Sequence, residues 1–263
     1  MKKLTKVAQE KAISEIENDG FTIIKNFLSR NEIQKSLNLI KTFPTHEAPN
    51  KTSSVVYGLT SLDKWFLDIA DEESVSEILS HFLNDQYFGK ISQNLPNYII
   101  AYSLARSSSD ALPTHIDSYV PNTGRFPLFL QTVVALEKQN KTNGNTYLIP
   151  KSHLSGDYPD QTIEHPDTID VYSDAGDLVI WDSRIWHGAR KNISSQTRWA
   201  IINTYCRWWI KPRLDSTKNI TNDFYQTISN RQKALLGFCS IAPSDPSERI
   251  VTRIGFEDLP KQI

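Results

Sequence analysis

Residues 111–122 read ALPTHIDSYVPN, and the pair His115-x-Asp117 inside them decides how the rest of the chain is read. Taken alone the pattern carries little. With six His and 30 acidic residues in the chain, roughly 0.7 His-x-Asp/Glu pairs arise by chance. A second pair does occur, His165-Pro166-Asp167. Side chains two apart on a strand share a face, so a His-x-Asp at a strand aims an imidazole and a carboxylate at one point. His115-Ile116-Asp117 follows a strand-like run and has an apolar residue between the two. The other pair has proline in its middle, inside a polar loop, and proline lacks the N–H that a ladder position needs. The first is therefore the candidate metal pair, and the second reads as surface loop.

A metal held by one His and one carboxylate needs a third ligand. The candidate lies in GDLVIWDSRIWHGARKN, residues 176–192, where His187 ends a strongly apolar strand and Gly188 follows. Two His and one carboxylate on one face of an octahedron leave three positions open, the arrangement associated with non-haem Fe(II) oxygenases. Arg198 comes eleven residues after His187 and opens the strand RWAIINTYC. A guanidinium beside Trp199, Ala200 and Ile201 is costly to bury unless an anion pairs with it, and it can grip a carboxylate through two parallel bonds.

The frame around these residues changes character along the chain. AQEKAISEIEND has apolar residues at helical spacing and stops at Gly20, a C-cap. FTIIKNF reads as a short strand, and Ser29…Glu32 as a capping box opening a helix through Phe43. Further helical patterns cover residues 61–70 and 72–83. From about residue 97, NYIIAYSLA, PLFLQTVVAL, TYLIP, DLVIWDS and RWAIINTYCRWWI are β-branched and aromatic, with turn signals such as Asn143-Gly144 between them. Residues 155–176 form a long excursion, and NDFYQTISNRQKALLGF reads as one returning helix. The expectation is one α+β domain over residues 1–263. It has a helical part to about 90, an antiparallel barrel or jelly roll over about 91–212, and a C-terminal helix over about 221–236.

Composition narrows the function. A hydrophobic content of 39% with ten Tyr, eleven Phe and six Trp supports a packed core. A formal charge of −1 gives no electrostatic case for nucleic acid or a membrane surface. Cys206 and Cys239 form no CxxC and read as reduced thiols. The first twenty residues hold no apolar signal core, no segment reaches the ~18 apolar residues of a membrane span, and Lys261-Gln262-Ile263 is not a peroxisomal tail. A cytoplasmic location is expected.

His115-x-Asp117, His187 and Arg198, in that order and with the eleven-residue last step, resemble the phytanoyl-CoA dioxygenase family of Fe(II)- and 2-oxoglutarate-dependent oxygenases. LQTVVALEKQNKTNGNTYLIPKSH is similar to that family's strand, NG turn and "iPgSH" segment, with Pro150, Ser152 and His153 in place and Lys151 where glycine is usual. NDGFTIIKNFLSRNEI and LLGF resemble its entry and closing segments. The resemblance implies a double-stranded β-helix (a cupin-like jelly roll) flanked by helices, with His115, Asp117 and His187 as iron ligands and Arg198 on the distal carboxylate of 2-oxoglutarate. It also implies co-substrate contacts from the preceding strand, at Tyr98 or Tyr102, and from Gln131. One departure is Ala189, where several relatives carry a serine that helps hold the co-substrate. Asp117 separates hydroxylation from the halogenating branch, in which the carboxylate is lost.

The implied reaction is O2-dependent hydroxylation of a small molecule such as an amino acid, a natural-product intermediate or another small anion, with release of succinate and CO2. Tyr119, Arg125, Arg184 and Trp186, near the ligands in sequence, are the candidate substrate contacts. Two rivals stand beside this reading: a cupin-type metal enzyme that does not use 2-oxoglutarate, and a non-catalytic ligand-binding jelly roll.

Overall fold

A computed structural model describes residues 1–47, 52–85 and 95–242, with Asp245; the terminal Lys261-Gln262-Ile263 lies outside the described residues. The chain starts with α1 (Lys6–Asp19), capped by the Thr5 hydroxyl at one end and by Gly20 at the other, where φ is +91°. Glycine adopts that left-handed backbone without the Cβ penalty. β1 (Phe21–Ile24) follows, then α2 (Arg30–Ile40), opened by the expected Ser29/Glu32 capping box. Two strands absent from the sequence reading come next, β2 (His46–Glu47) and β3 (Ser53–Tyr57). The helices α3 (Leu59–Leu62), α4 (Lys64–Ala70) and α5 (Glu73–Leu83) complete this part.

The strand-rich part holds β4 (Tyr98–Ser108), β5 (Leu112–His115), β6 (Phe129–Ala135), β7 (Thr146–Ile149), β8 (Ile169–Val171), β9 (Leu178–Asp182), β10 (Trp186–Ala189) and β11 (Ala200–Arg207). Among the described residues they form two antiparallel sheets. The larger runs β1-β9-β6-β11-β4-β3-β2 and the smaller β5-β10-β7-β8, which is the facing-sheet arrangement of a jelly roll. The expected single helix over about 221–236 is instead α7 (Asn222–Thr227) and α8 (Asn230–Leu235), preceded by α6 (Ser216–Asn219). The break falls at Ile228-Ser229, because Ser229 and Gln232 form a capping box of their own and restart the helix.

Alternation along the large sheet divides its faces. Leu130, Val134, Leu178, Ile180, Ile201 and Tyr205 pack under the helices with Ile16, Phe66 and Ile78. Burying each such side chain contributes about 2 kcal/mol. Val133, Val179, Trp181 and Ala200 turn the other way, toward the small sheet. Among the described residues no helix is long and apolar enough to cross a membrane.

Candidate active site

The space between the sheets holds a cavity of about 430 Å³, the size of small-molecule sites. On its wall, β5 and β10 pair so that His115 lies directly opposite His187. β5 ends at His115, so strand alternation is not what aims Asp117. Its placement comes from the backbone beyond the strand: the amides of Asp117 and Ser118 both donate to the Ser183 carbonyl, at 2.8 and 3.0 Å.

The three side chains converge. His187 Nε2 lies 3.2 Å from one Asp117 carboxylate oxygen and His115 Nε2 lies 3.6 Å from the other. One ligand atom from each residue falls within 4.8 Å of the rest. His115 Nδ1 donates to the Pro113 carbonyl at 2.8 Å and His187 Nδ1 to the Ile185 carbonyl at 3.0 Å. A carbonyl only accepts, so each Nδ1 carries a proton and each Nε2 atom faces inward, where it donates to Asp117 when protonated and offers a lone pair once a metal takes the proton's place. That is the tautomer and orientation a metal ligand requires. Burial opposes ionisation of Asp117, but the charge of His187 and hydrogen bonds from both imidazoles outweigh it and hold the carboxyl well below its usual range. Burial works against a charged His187 as well, and Asp117 reverses that, raising its pKa. The donor set, two imidazoles and one carboxylate, fits a divalent first-row metal with open positions.

Gln131 sits on β6 beneath Asp117. Its amide nitrogen donates to the Asp117 carboxylate at 2.7 Å, and its amide oxygen accepts from the Thr204 hydroxyl. It reaches the cavity, but its donor is engaged in orienting the carboxylate. The two tyrosines on β4 part company. Tyr102 lines the cavity, where burial and the charge of Asp117 raise its phenol pKa. Tyr98 is fully buried under the helices, donating to the Ser76 carbonyl and packing edge-on against Tyr205. The cause is a β-bulge. Thr204 pairs with Tyr102 but Tyr205 with Ile100, leaving Ala101 as an extra residue that inverts the facing of everything before it. Tyr98 is thus removed from the expected co-substrate contacts.

Arg198 stands where the sequence put it, just before β11 and lining the deep end of the cavity. Its Nε donates to the Ser108 carbonyl at 2.7 Å and one Nη to the Gly144 carbonyl at 3.0 Å. Among the described residues no carboxylate pairs with it. Burial and the nearby Arg106 charge bring its pKa down to about 10.

The four expected substrate contacts lie off this cavity. Arg184 is buried and pairs with Asp182 at 2.7 Å, while its other amino group donates to the Asn122 and Gly124 carbonyls. It clamps the loop after Asp117. Arg125 is exposed, 4.0 Å from Glu17. Trp186 donates to the Asp157 carbonyl and packs at a tilt against the His165 ring, and Tyr119 is exposed with its ring edge-on to Phe129. The mouth is instead lined by the exposed Tyr57 and Arg213, with the Arg213 guanidinium 5.1 Å from the centre of the Tyr102 ring. The adjacent tripeptide Lys211-Pro212-Arg213 carries no pattern that would have flagged it. His165, the rejected half of the second His-x-Asp pair, is on the surface loop and bonds the Asp160 carbonyl.

The family model described as phytanoyl-CoA dioxygenase (PhyH) matches residues 16–200, a span that includes His115, Asp117, His187 and Arg198. A relative described as dioxygenase af480, from Aspergillus fumigatus, is 23% identical over 248 residues, covering 88% of this chain and 78% of its own. HygX from Streptomyces hygroscopicus, solved with nickel, 2-oxoglutarate and hygromycin B, superposes with a TM-score of 0.64 at 16% identity, over 84% of this chain and 94% of that one. The epimerase SnoN, solved with Fe3+, alpha-ketoglutarate and nogalamycin RO, gives a TM-score of 0.61 at 15% identity, over 77% and 84%. These two structures establish the likeness of fold.

Proposed function

The chain belongs to the phytanoyl-CoA dioxygenase family and is an Fe(II)- and 2-oxoglutarate-dependent dioxygenase, and we propose that it hydroxylates an unactivated C–H bond of a small anionic molecule. In this reading His115, Asp117 and His187 hold the iron, and Arg198 binds the distal carboxylate of 2-oxoglutarate. The observation that carries it is one cavity with three convergent ligand atoms on its wall and a half-buried arginine that has no anionic partner among the described residues.

Bound iron with 2-oxoglutarate supplies the oxidising power, converting O2, co-substrate and R–H to R–OH, succinate and CO2. The chain's own residues position. Gln131, pinned by Thr204, fixes the Asp117 carboxylate, and the Pro113 and Ile185 carbonyls fix the two imidazoles. Asp117 fills the position that a halide would need, which favours hydroxylation over halogen transfer. Arg213 at the mouth, its guanidinium resting over the Tyr102 ring, offers a cation to an entering anion. A cupin-type enzyme independent of 2-oxoglutarate would leave Arg198 without a task.

The test is anaerobic reconstitution with Fe(II), then O2 uptake and succinate release against amino acids, other carboxylates, phosphonates and acyl thioesters. Substrate-stimulated succinate formation that requires 2-oxoglutarate, with a product heavier by one oxygen, is the expected result. Turnover that proceeds without 2-oxoglutarate, or a halogenated product, would overturn the proposal.

A further inference from the structure

Arg198 is not the only arginine at the deep end. Arg106 also lines the cavity, on β4 opposite Ala200 and two residues before Ser108, whose carbonyl accepts from Arg198 Nε. Its own Nε is shielded from solvent and bonds to nothing, and among the described residues it forms no ion pair. The two guanidiniums are close enough that the charge of Arg106 acts on Arg198. Of the carboxylates lining the cavity, Asp117 is engaged by His115, His187 and Gln131, and Asp110 is exposed.

Two cations facing one cavity, with no anion paired to either among the described residues, repel each other and leave a buried donor unsatisfied. An anion bound between them removes both costs. A carboxylate accepts at about four lone-pair sites, twice what one guanidinium fork uses. On the opposite wall Ala189 presents a methyl group beside its cross-strand partner Thr146, and Gln139 also lines the cavity.

We propose that Arg106 is the second arm of an arginine clamp, binding the distal carboxylate of 2-oxoglutarate together with Arg198. The inference rests on the assignment of Arg198 made above and extends it to a residue with no motif. With two guanidiniums on one carboxylate, the site selects a dianionic co-substrate over a monocarboxylate keto acid.

The test needs no substrate. Binding of 2-oxoglutarate to Mn(II)-loaded protein is measured by calorimetry for the native chain and for Arg106→Gln, Arg106→Lys and Arg198→Gln, with glutarate binding to metal-free protein as a second readout that involves no keto group. Loss of a charge-assisted pair weakens 2-oxoglutarate by about 10- to 100-fold in Arg106→Gln, with Arg106→Lys between that and the native chain and a parallel loss for glutarate. The ligand-free melting temperature of Arg106→Gln stays level or rises, because a repulsion is removed; a structural arginine would lower it. If Arg106→Gln binds 2-oxoglutarate within twofold of the native chain while Arg198→Gln does not, the clamp is wrong and the Arg198 assignment stands. If neither variant loses affinity, the Arg198 assignment falls as well. If neither Arg106 variant folds, the arginine is structural and the clamp is rejected.

Discussion

Gln131→Leu isolates what the residue beneath Asp117 does. Asp117 can only accept, so the Gln131 amide must turn its nitrogen there and its oxygen to Thr204. Leucine keeps the volume and removes the donor from a carboxylate that is 15% exposed. A hydrogen bond to a charged, shielded group contributes about 1.5–3 kcal/mol, and each 1.4 kcal/mol is tenfold in affinity. Metal binding should therefore weaken by about 10- to 100-fold, the range found for residues that orient ligands. Calorimetric titration of metal-free protein with Mn(II) measures it. Affinity for 2-oxoglutarate at saturating metal should change by less than about threefold, since the amide is already engaged on both sides by Asp117 and Thr204. Thr204→Val, which frees the amide to rotate, should reproduce part of the metal effect and add little to Gln131→Leu in the double variant. Unchanged Mn(II) affinity, or a loss confined to 2-oxoglutarate, would refute the reasoning.

Three further outcomes follow from the same geometry. Asp177 is buried and accepts from Lys25 Nζ and from the backbone amides of Asn26 and Asp174. Asp177→Ala strands those amides and should cost about 3 kcal/mol, read from the denaturant midpoint; a loss below about 1 kcal/mol would contradict it. Gly188 has no room for a Cβ, which would lie 2.5 Å from the Leu112 carbonyl oxygen and run into Tyr147 Oη. Gly188→Ala should push β5 off β10, separate His115 from His187 and abolish tight Mn(II) binding even where circular dichroism shows the fold retained. Tyr98→Phe should lower stability by about 1 kcal/mol through its lost bond to Ser76 and leave 2-oxoglutarate binding untouched; an affinity change in Tyr98→Phe would mean the residue faces the cavity after all.

The parts legible in the sequence are those specified by neighbours along the chain. Thr5 and Gly20 bound α1, Ser29 and Glu32 open α2, and apolar runs mark the strands. His115, Asp117, His187 and Arg198 were legible for a different reason, since their types, order and the eleven-residue step from His187 to Arg198 match a family pattern, and the fold brings them to one cavity. β3 escaped because SSVVY is short and half polar, and its strand character comes from pairing with β4, distant in sequence. Arg184 was misread because its partner Asp182 and the Asn122 and Gly124 carbonyls lie on segments that meet only in the fold. The split between α7 and α8 was open to reading, as Ser229-x-x-Gln232 is a local signal like the one at Ser29.

The bulge at Ala101 belongs to neither group, and it carries the most consequence. Its existence depends on where β11 changes register, between Thr204 and Tyr205, and nothing in YIIAYSLARSS shows it. Without it, strict alternation would place Tyr98, Ile100, Tyr102, Leu104 and Arg106 on one face. A face that fills the core with Tyr98 and Ile100 would then carry Arg106 into the helical layer, where an unpaired guanidinium is costly. With it, Tyr98 and Ile100 pack under the helices while Tyr102, Leu104 and Arg106 line the cavity. One strand thus serves two environments, and the site's second arginine owes its position to the extra residue. The metal ligands could be found because their residue types and order match a family pattern, although the fold that joins them, β5 on β10 and Asp117 on Ser183, is long-range. The groups that surround a bound anion have no such pattern and are set by a register that only the assembled sheet defines.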